Sequence, residues 1–248
     1  MVRNGRSRSR AQMRVTGGHA SAPYSLGMST IDAVLFDFGG TLFAHDPLAA
    51  TVVAAAAELG VAVPIVWAEA FAERVQSAAH TPDELRYLRD LDAALWHSRW
   101  HVLYALADDE LCGLGAAVYT AMHDPYRWLP YADTVAVLRG MHDVGVPAVV
   151  VSNTGWDIRA VFAAHGLEHL VTAFVLSYEV GFVKPASEIF LHACRLLDVQ
   201  PTSALMVGDD PVADAGAVRA GVRTLLLPAL PPGTDNGVQS VLNIVRRI

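Results

Sequence analysis

Short apolar segments alternate with amphipathic ones along most of the chain, and the apolar segments end in glycine or in polar residues. The first of them, residues 33–36, runs straight into Asp37 and two glycines. A short apolar run with such clear bounds is typical of a strand buried on both faces of a parallel sheet. Further segments of this kind are predicted as strands at 146–151, 173–177, 204–207 and 223–227.

Segments with helical periodicity separate the later strands. They predict helices over 131–144, 156–165, 186–198 and near 214–220. Strands that alternate with helices indicate a parallel sheet with right-handed crossover connections. The pattern therefore predicts an α/β fold with a Rossmann-like parallel sheet as its core.

About eighty residues after the first strand carry helical signals alone. Asp46 and Pro47 suit the N-cap and the first turn of a helix that ends at Gly60. A second helix is predicted from Pro64 to about residue 79, a third from a capping box at 81–84 through Leu106, and a fourth over 109–122. We expect residues 46–125 to be an all-helical insertion, and 30–45 and 126–248 to form the core.

Composition narrows the class of protein. The 248 residues allow one large domain or two small ones, and 53% hydrophobic residues are ample for a core. No apolar run approaches the ~20 residues of a membrane helix, and the net charge of −7 argues against a nucleic-acid surface. Two cysteines, Cys112 and Cys194, form no metal or redox motif, so reduced core thiols and a cytoplasmic location are expected.

Residues 1–29 differ from the rest because five arginines lie among small and polar residues with no acid. The segment lacks the apolar stretch of a secretory signal and cannot bury enough surface to order itself. We predict a disordered basic leader, or an upstream start with Met28 as the true first residue. A nucleic-acid tail is the weaker alternative.

The candidate chemistry lies where predicted strands end. Asp37 follows the first strand, Ser152 and Asn153 follow the second, and Asp209 follows the fourth, with Asp214 shortly after. Open α/β sheets bind ligands at this edge. Three carboxylates could hold Mg²⁺, a serine hydroxyl could hold a phosphate, and an aspartate could attack phosphorus.

A single lysine, Lys184, stands among 17 arginines, which suggests a point charge that arginine cannot replace. Each of these features has a structural alternative. A strand-end aspartate can cap a turn, a strand-end serine can be structural, and a lysine can be merely solvated.

Four segments taken together resemble the haloacid dehalogenase (HAD) superfamily of hydrolases. They are Asp37-Phe-Gly-Gly-Thr41, Ser152-Asn153, Val180-Gly-Phe-Val-Lys-Pro185 and Gly208-Asp-Asp-Pro-Val-Ala-Asp214. The resemblance covers about 31–228, and a helical insertion after the first motif resembles the subclass with a C1 cap. It implies a phosphatase that acts on a small phosphorylated metabolite through an aspartyl-phosphate intermediate.

The same resemblance assigns roles to single residues. Asp37 would be the nucleophile and a Mg²⁺ ligand, Ser152 would bind the transferring phosphoryl group, and Lys184 would stabilise its charge. The other implied metal ligands are the backbone carbonyl of Gly39, Asp209 and Asp214, with Asp210 as a weaker alternative. The implied substrate-binding residues are Gly40, Thr41 and Asn153.

The sequence departs from this family pattern at two places. Family phosphatases carry a second aspartate two residues after the nucleophile, which protonates the leaving group, and here Gly39 stands there. General acid–base help is typically worth ~10²–10⁴-fold. The segment after Asp214 is also one residue shorter than is usual.

These departures leave two functions open. One is a Mg²⁺-dependent phosphatase, and the other is a weak or inactive relative that binds a phosphorylated ligand or a protein partner. A dehalogenase is less favoured because no arginine lies between Asp37 and Arg74 and the metal carboxylates are present. Schiff-base phosphonate hydrolysis is disfavoured because the insertion has no lysine.

The insertion would choose the substrate. Its arginines could bind an anionic substrate, and its tryptophans and histidines could line a pocket or, alternatively, belong to the core. The arginines are Arg74, Arg86, Arg89 and Arg99, and the pocket candidates are Trp96, His97, Trp100 and His101. The oligomeric state is left open by the sequence.

Overall fold

The structure is a computed structural model that describes Met1 and residues 30–108 and 111–246. The predicted leader, apart from Met1, lies outside the described residues. The described strands are β1 (Ala33–Phe36), β2 (Phe43–His45), β3 (Trp128–Pro130), β4 (Ala148–Ser152), β5 (Ala173–Leu176), β6 (Ala204–Gly208) and β7 (Arg223–Leu226). The described helices are α1 (Leu48–Glu58), α2 (Ile65–Ala79), α3 (Pro82–Leu85), α4 (Ala93–Tyr104), α5 (Leu114–Met122), α6 (Thr134–Asp143), α7 (Arg159–Ala164), α8 (Ser177–Val180), α9 (Ser187–Leu196) and α10 (Ser240–Arg246).

Five parallel strands form the core sheet in the order β5-β4-β1-β6-β7. The central strand β1 is wholly buried, as its apolar run predicts. Helices α6, α7 and α10 pack on one face of the sheet, and α9 packs on the other together with a 3₁₀ helix over Asp214–Ala220. The predicted Rossmann-like α/β fold with an inserted helical block is confirmed.

Helices α1, α2, α4 and α5 share a hydrophobic cluster of their own. Val52, Phe71, Val75, Leu103 and Leu114 are buried within it. The chain leaves the core through β2 and returns through β3, and these two strands pair antiparallel. This ribbon was not predicted from the sequence, because strands of three residues are too short to show a period.

The third predicted helix is wrong as one continuous element. It is divided into α3, a 3₁₀ turn over Arg89–Leu91 and α4, and Leu88 between them has a positive φ of 50°. The predicted capping box does begin α3, where the Thr81 hydroxyl accepts a hydrogen bond from the Glu84 amide at 3.2 Å. A second cap follows at Asp92, whose carboxylate accepts from the Leu95 amide at 2.8 Å and starts α4 afresh.

A buried ion pair explains the break. The Glu84 side chain is only 5% exposed and faces two arginines. Arg99 places Nη2 2.6 Å from Oε2, and Arg89 places Nη1 3.4 Å from Oε1. Both arginines reach Glu84 only if the chain turns back at residues 86–92, so tertiary electrostatics override the helical pattern.

Replacing Glu84 is expected to destabilise the insertion. Glu84→Ala removes the carboxylate that both arginines share and leaves the buried Arg89 with only the more distant Asp90, 3.9 Å away. Removal of one partner of a buried ion pair typically costs about 3 kcal/mol or more. Thermal unfolding should show the loss. The matched control is Asp83→Ala, which breaks a pair with Arg86 whose side chains are 86% and 79% exposed and should change stability little. Equal effects of the two substitutions would contradict this account.

Two smaller expectations are also wrong. Asp46 does not cap α1, because Pro47 occupies the N-cap and no side chain bonds to the helix start. Cys112 lies exposed in a turn before α5, whereas Cys194 is buried as expected. The helix predicted near 214–220 is present and ends at Gly221 as expected, and it is a 3₁₀ helix. Helices α8 and α10 were not anticipated at all.

Candidate active site

The carboxyl end of β1 places Asp37 between the ends of its two neighbouring strands. Phe36 is in register with Val150 of β4 and with Val207 of β6, and the Asp37 amide donates to the Val207 carbonyl at 2.8 Å. The next turn depends on Gly40, which has a φ of +80° and whose added Cβ would overlap the Asp209 carboxylate. Only glycine fits there, so β1 and β6 can approach closely at the site.

Lys184 joins two of the predicted acids. Its Nζ lies 2.6 Å from Asp37 Oδ1 and 2.7 Å from Asp214 Oδ1, and its side chain is 3% exposed. The carboxamide of Asn153 holds the Lys184 backbone at both ends. It accepts from the Lys184 amide at 2.7 Å and donates to the Lys184 carbonyl at 2.9 Å. Asn153 thus fixes where the lysine enters the site.

Asp214 is fully buried, and backbone groups orient it. Its Oδ2 accepts from the amides of Asp209 and Asp210 at 3.0 and 2.9 Å. The segment after Asp214, which is one residue shorter than is usual in the family, forms the 3₁₀ helix. Gly216 in this helix has no room for a Cβ because Pro185 packs against it. The Asp214 carboxylate nonetheless reaches the other predicted acids.

The electrostatics of the cluster favour a bound cation. Burial raises the pKa of Asp37 to about 7, with Lys184 opposing and the Asp214 charge reinforcing this shift. Burial, and next the Asp214 charge, also raise the pKa of Asp209. Burial disfavours the charged form of Lys184, but Asp37 and Asp214 outweigh it and raise its pKa. One ammonium therefore faces three carboxylates, an unbalanced arrangement that a divalent cation would relieve.

The donor set fits magnesium. Oxygens of Asp37, Asp209 and Asp214 lie within 4.8 Å of one another. Hard carboxylate oxygens are what Mg²⁺ prefers, and it commonly keeps several waters beside one or two protein carboxylates. Gly39, whose backbone was also implied as a ligand, lies beside Asp37 in the wall of the same cavity.

The remaining predicted residues lie around this cluster. Ser152 ends β4, is 5% exposed and lines the cavity. The buried Thr41 hydroxyl donates to Asp209 Oδ1 at 3.3 Å. Asp210 lines the cavity, and its Oδ1 accepts from the Val212 and Ala213 amides at 2.6 and 2.8 Å, so it supports a turn.

Gly39 has space for a side chain. Its φ lies outside the left-handed region, and an added Cβ would stand 3.6 Å from Trp128 Cζ3, an ordinary van der Waals contact. Trp128 of β3 therefore borders the place into which an acid at position 39 would project.

The cavity, which we call the chamber, has a volume of about 360 Å³ and lies between the core and the insertion. Its floor includes Asp37, Ser152 and Lys184. Its walls are rich in aromatic side chains that sequence analysis had either left undecided or not selected. These are Phe38, Trp96, Trp100, Tyr104, Trp128 and Trp156.

Trp96 and Trp100 line the chamber, which agrees with the first of the two alternatives, that they line a pocket. Trp100 also packs on the hydrophobic cluster of the insertion. His97 and His101 do not line the chamber and instead surround Tyr119. His123 does line it, although sequence analysis did not select it. A lone histidine at a helix end gives no signal of that role.

The candidate arginines are engaged elsewhere. Arg86 pairs with Asp83, whereas Arg89 and Arg99 pair with Glu84. Arg74 lines a separate surface hollow on α2. None of the four lines the chamber.

Asn236 is a further residue that sequence reasoning missed. It is 2% exposed and its Nδ2 donates to the Thr41 carbonyl at 2.9 Å. A loop near the carboxyl end thus pins the turn that follows Asp37. No local pattern could have shown a contact across 195 residues.

The chain belongs to the haloacid dehalogenase-like hydrolases, since the model of that family matches residues 31–221. It is an enzyme class whose members hydrolyse their substrates, and several curated relatives of this chain bear phosphatase names.

One relative spans most of both chains. A ribulose-1,5-bisphosphate 5-phosphatase of Halopiger xanaduensis is 31% identical over 207 residues, which cover 78% of this chain and 83% of the relative. A glyceraldehyde 3-phosphate phosphatase of Methanopyrus kandleri is 35% identical over 121 residues, 45% of this chain and 50% of the relative. A putative uncharacterized hydrolase of Schizosaccharomyces pombe is 40% identical over 76 residues, 28% of this chain and 33% of the relative. The chain thus spans half or less of the length of these last two relatives.

Solved structures support the fold. A HAD phosphatase from Thermococcus onnurineus superposes with a TM-score of 0.58 at 22% identity, covering 86% of this chain and 97% of that one. A dehalogenase superposes with a TM-score of 0.66 at 19% identity, covering 86% and 96%. At such identities the likeness shows the fold alone. No helix within the described part of the chain is long and apolar enough to cross a membrane.

Proposed function

We propose that this protein is a Mg²⁺-dependent phosphatase that hydrolyses a small phosphorylated molecule through an aspartyl phosphate on Asp37. The observation that carries the proposal is the contact of Lys184 with Asp37 inside the cluster of Asp37, Asp209 and Asp214, at the floor of a chamber large enough for a small ligand. The phosphatase names of relatives support it.

Each residue of the proposed active site would have a separate role. Asp37, Asp209 and Asp214 would hold the magnesium ion, which when bound supplies positive charge to the phosphoryl oxygens. Ser152 would hold a phosphoryl oxygen, and Lys184 would neutralise charge on the phosphoryl group and orient Asp37. Asn153 would position Lys184 through its two backbone hydrogen bonds rather than contact the phosphate.

The reaction would proceed in two displacements. An Asp37 carboxylate oxygen attacks phosphorus, its bond to phosphorus forms, and the ester oxygen departs with the electron pair. Water then attacks phosphorus and releases a proton to solvent, the Asp37–phosphorus bond breaks with its electron pair returning to the carboxylate, and inorganic phosphate leaves. Phosphoryl transfer relies mostly on positioning and electrostatics, so this sequence can run without a strong acid when the leaving group is stable as an anion.

Among the described residues that line the chamber, His123 and Asp210 could be considered as substitutes for the acid missing at Gly39, and both already make hydrogen bonds. Asp210 accepts from two amides of its own turn. The His123 Nδ1 donates to the Tyr119 carbonyl at 2.8 Å and its Nε2 accepts from Trp96 Nε1 at 3.1 Å, so both ring nitrogens are occupied. Burial lowers the pKa of His123, which keeps it neutral at pH 7. His45 and Asp46, also considered as substitutes, do not line the chamber.

We further propose that residues 46–125 act as a C1-type cap and that the protein works in the cytoplasm. The missing acid also motivates the second candidate, a weakly active protein that binds a phosphorylated ligand or a protein partner. Dehalogenation is less favoured, because the three clustered carboxylates suit a metal ion.

Removal of metal tests the proposal. EDTA should abolish turnover of phosphate esters, and added Mg²⁺ should restore it. Asp209→Asn should raise the Mg²⁺ concentration needed for half-maximal rate about tenfold or more, because one charged ligand is lost. Asp32→Asn is the matched control, since Asp32 is exposed just before β1 and does not line the chamber, and it should change the requirement little. Turnover that survives EDTA would refute the proposal.

A further inference from the structure

We propose that the chamber selects a phosphate monoester whose alcohol part is a planar aromatic group without charge. This inference deepens the proposed function and rests on it for the role of the phosphate. For the choice of the alcohol part, it rests on the aromatic side chains of the chamber wall, which the insertion and the core place around Asp37, Ser152 and Lys184.

The first support is the way in which the aromatic wall is held. Trp96 of α4 packs so closely on Gly155 of the core that any side chain at position 155 would overlap it. The Trp96 Nε1 also donates to His123 Nε2 at 3.1 Å. The indole is therefore fixed between insertion and core, rather than placed there as a freely turning surface side chain.

The second support is the mutual arrangement of the rings. Trp96 and Trp100 meet edge to face, with centroids 5.6 Å apart and planes at 62°. Trp128 and Trp156 are 6.3 Å apart at 41°. Such sets present both faces and edges, and aromatic rings prefer offset or edge-to-face contacts. Tyr104 stacks on Trp100, and the Arg89 guanidinium lies 4.9 Å from a Trp100 ring centroid. We therefore expect an entering flat ring to contact mainly the other three indoles, Trp96, Trp128 and Trp156.

The third support is the charge distribution. Within the described part of the chain, the insertion residues that line the chamber are Leu48, Gln76, Trp96, Trp100, Tyr104, Met122 and His123. None of them carries a formal charge at pH 7, because burial lowers the pKa of His123. Arg89 and Arg99 are held by Glu84. A second phosphate or a carboxylate on the substrate would thus meet no counter-ion there.

The insertion side of the chamber offers few polar partners for a sugar, and apart from His123 and Gln76 they are the Tyr104 hydroxyl and the Trp100 Nε1, which is buried without a hydrogen-bond partner. Both ring nitrogens of His123 already make hydrogen bonds, and Gln76 of α2 is exposed to solvent. A polyhydroxylated alcohol would leave several hydroxyl groups without hydrogen-bond partners when it entered, which costs binding free energy. An aromatic alcohol with at most one polar substituent avoids this loss.

Binding of phosphonates separates this inference from catalysis. Benzylphosphonate and cyclohexylmethylphosphonate have similar size and charge, and neither can be hydrolysed at its phosphorus–carbon bond. Calorimetry with the wild-type protein and Mg²⁺ should show benzylphosphonate bound about tenfold more tightly, the gain expected from two aromatic contacts. Equal or weaker binding of benzylphosphonate would overturn the inference, and so would tighter binding of a phosphonate with a quaternary ammonium group.

Substitutions of Trp96 test whether the aromatic wall causes the preference for benzylphosphonate. Trp96→Leu should reduce the tenfold preference to less than about threefold, whereas Trp96→Phe, which also loses the bond to His123 but keeps a ring, should retain most of it. Trp67→Leu is the matched control, because Trp67 stacks on Phe71 outside the chamber, and it should leave the preference unchanged. A preference that persists in Trp96→Leu would overturn the role of the wall.

Catalysis is then measured with benzyl and cyclohexylmethyl phosphates. These esters have leaving groups of similar basicity, so the missing acid at Gly39 affects both alike. Selective binding of benzylphosphonate without turnover of any ester would refute the proposed function and leave the selectivity standing. Turnover of both esters with equal KM would refute the selectivity and leave the function standing.

Discussion

Asp37→Asn is expected to abolish phosphatase activity, with a loss on the order of 10⁴-fold or more in kcat, as is typical when a nucleophile is removed. An amide oxygen is a far weaker nucleophile than a carboxylate, and the variant also loses one negative ligand of the proposed metal site. The fold should survive, because Lys184 keeps the Asp214 carboxylate 2.7 Å away. Rates with an activated phosphate ester give the first measurement.

Trapping distinguishes the nucleophile from a mere metal ligand. Wild-type protein should bind beryllofluoride and, after quenching with acid during turnover, carry labelled phosphate on Asp37, whereas Asp37→Asn should do neither. Asp32→Asn is the matched control, since Asp32 is exposed at the opposite end of the same strand, and it should retain full activity. A folded Asp37→Asn variant with unchanged turnover would rule out the mechanism.

Gly39→Asp is expected to raise turnover of alkyl phosphates by about 10²-fold or more, the typical worth of general acid–base help. An alkoxide leaves badly unless it is protonated, whereas a phenolate or a carboxylate leaves unaided. Wild-type protein should therefore prefer aryl and acyl phosphates strongly and lose its aspartyl phosphate slowly. In Gly39→Asp the difference between alkyl and aryl esters should shrink.

The structure makes this gain feasible. The backbone of Gly39 is outside the left-handed region, and its Cβ would only touch Trp128 at 3.6 Å. Gly39→Asn is the matched control, because it adds the same volume without a proton to give. Gly40→Ala should instead impair activity, since its Cβ would overlap the Asp209 carboxylate.

A series of esters with graded leaving-group pKa decides the question. If wild-type rates are independent of that pKa while chemistry limits the rate, another residue already donates the proton. Gly39→Asp would then bring no gain, and the account of the missing acid would be wrong.

The sequence by itself determined the sheet and the identities of the acids. Each core strand was readable because a strand buried on both faces is a short, uninterrupted apolar run, as at 33–36. The placement of Asp37 and Asp209 followed from these strands, because parallel strands end at one edge. The departure at Gly39 was equally plain, since it depends on spacing alone.

Only the tertiary structure decided the surroundings of these acids. Asn236 reaches the turn after Asp37 from 195 residues away, and Glu84 pairs with the buried Arg89 and the partly exposed Arg99 across a break in the predicted helix. Periodicity alone could not tell whether the tryptophans of α4 belong to the hydrophobic core or line the chamber, because both locations require an apolar helix face. The close contact of Trp96 with Gly155 of the core decides the matter for Trp96, which lines the chamber. Such contacts depend on distances between segments remote in the chain, and local patterns of hydrophobicity carry no information about them.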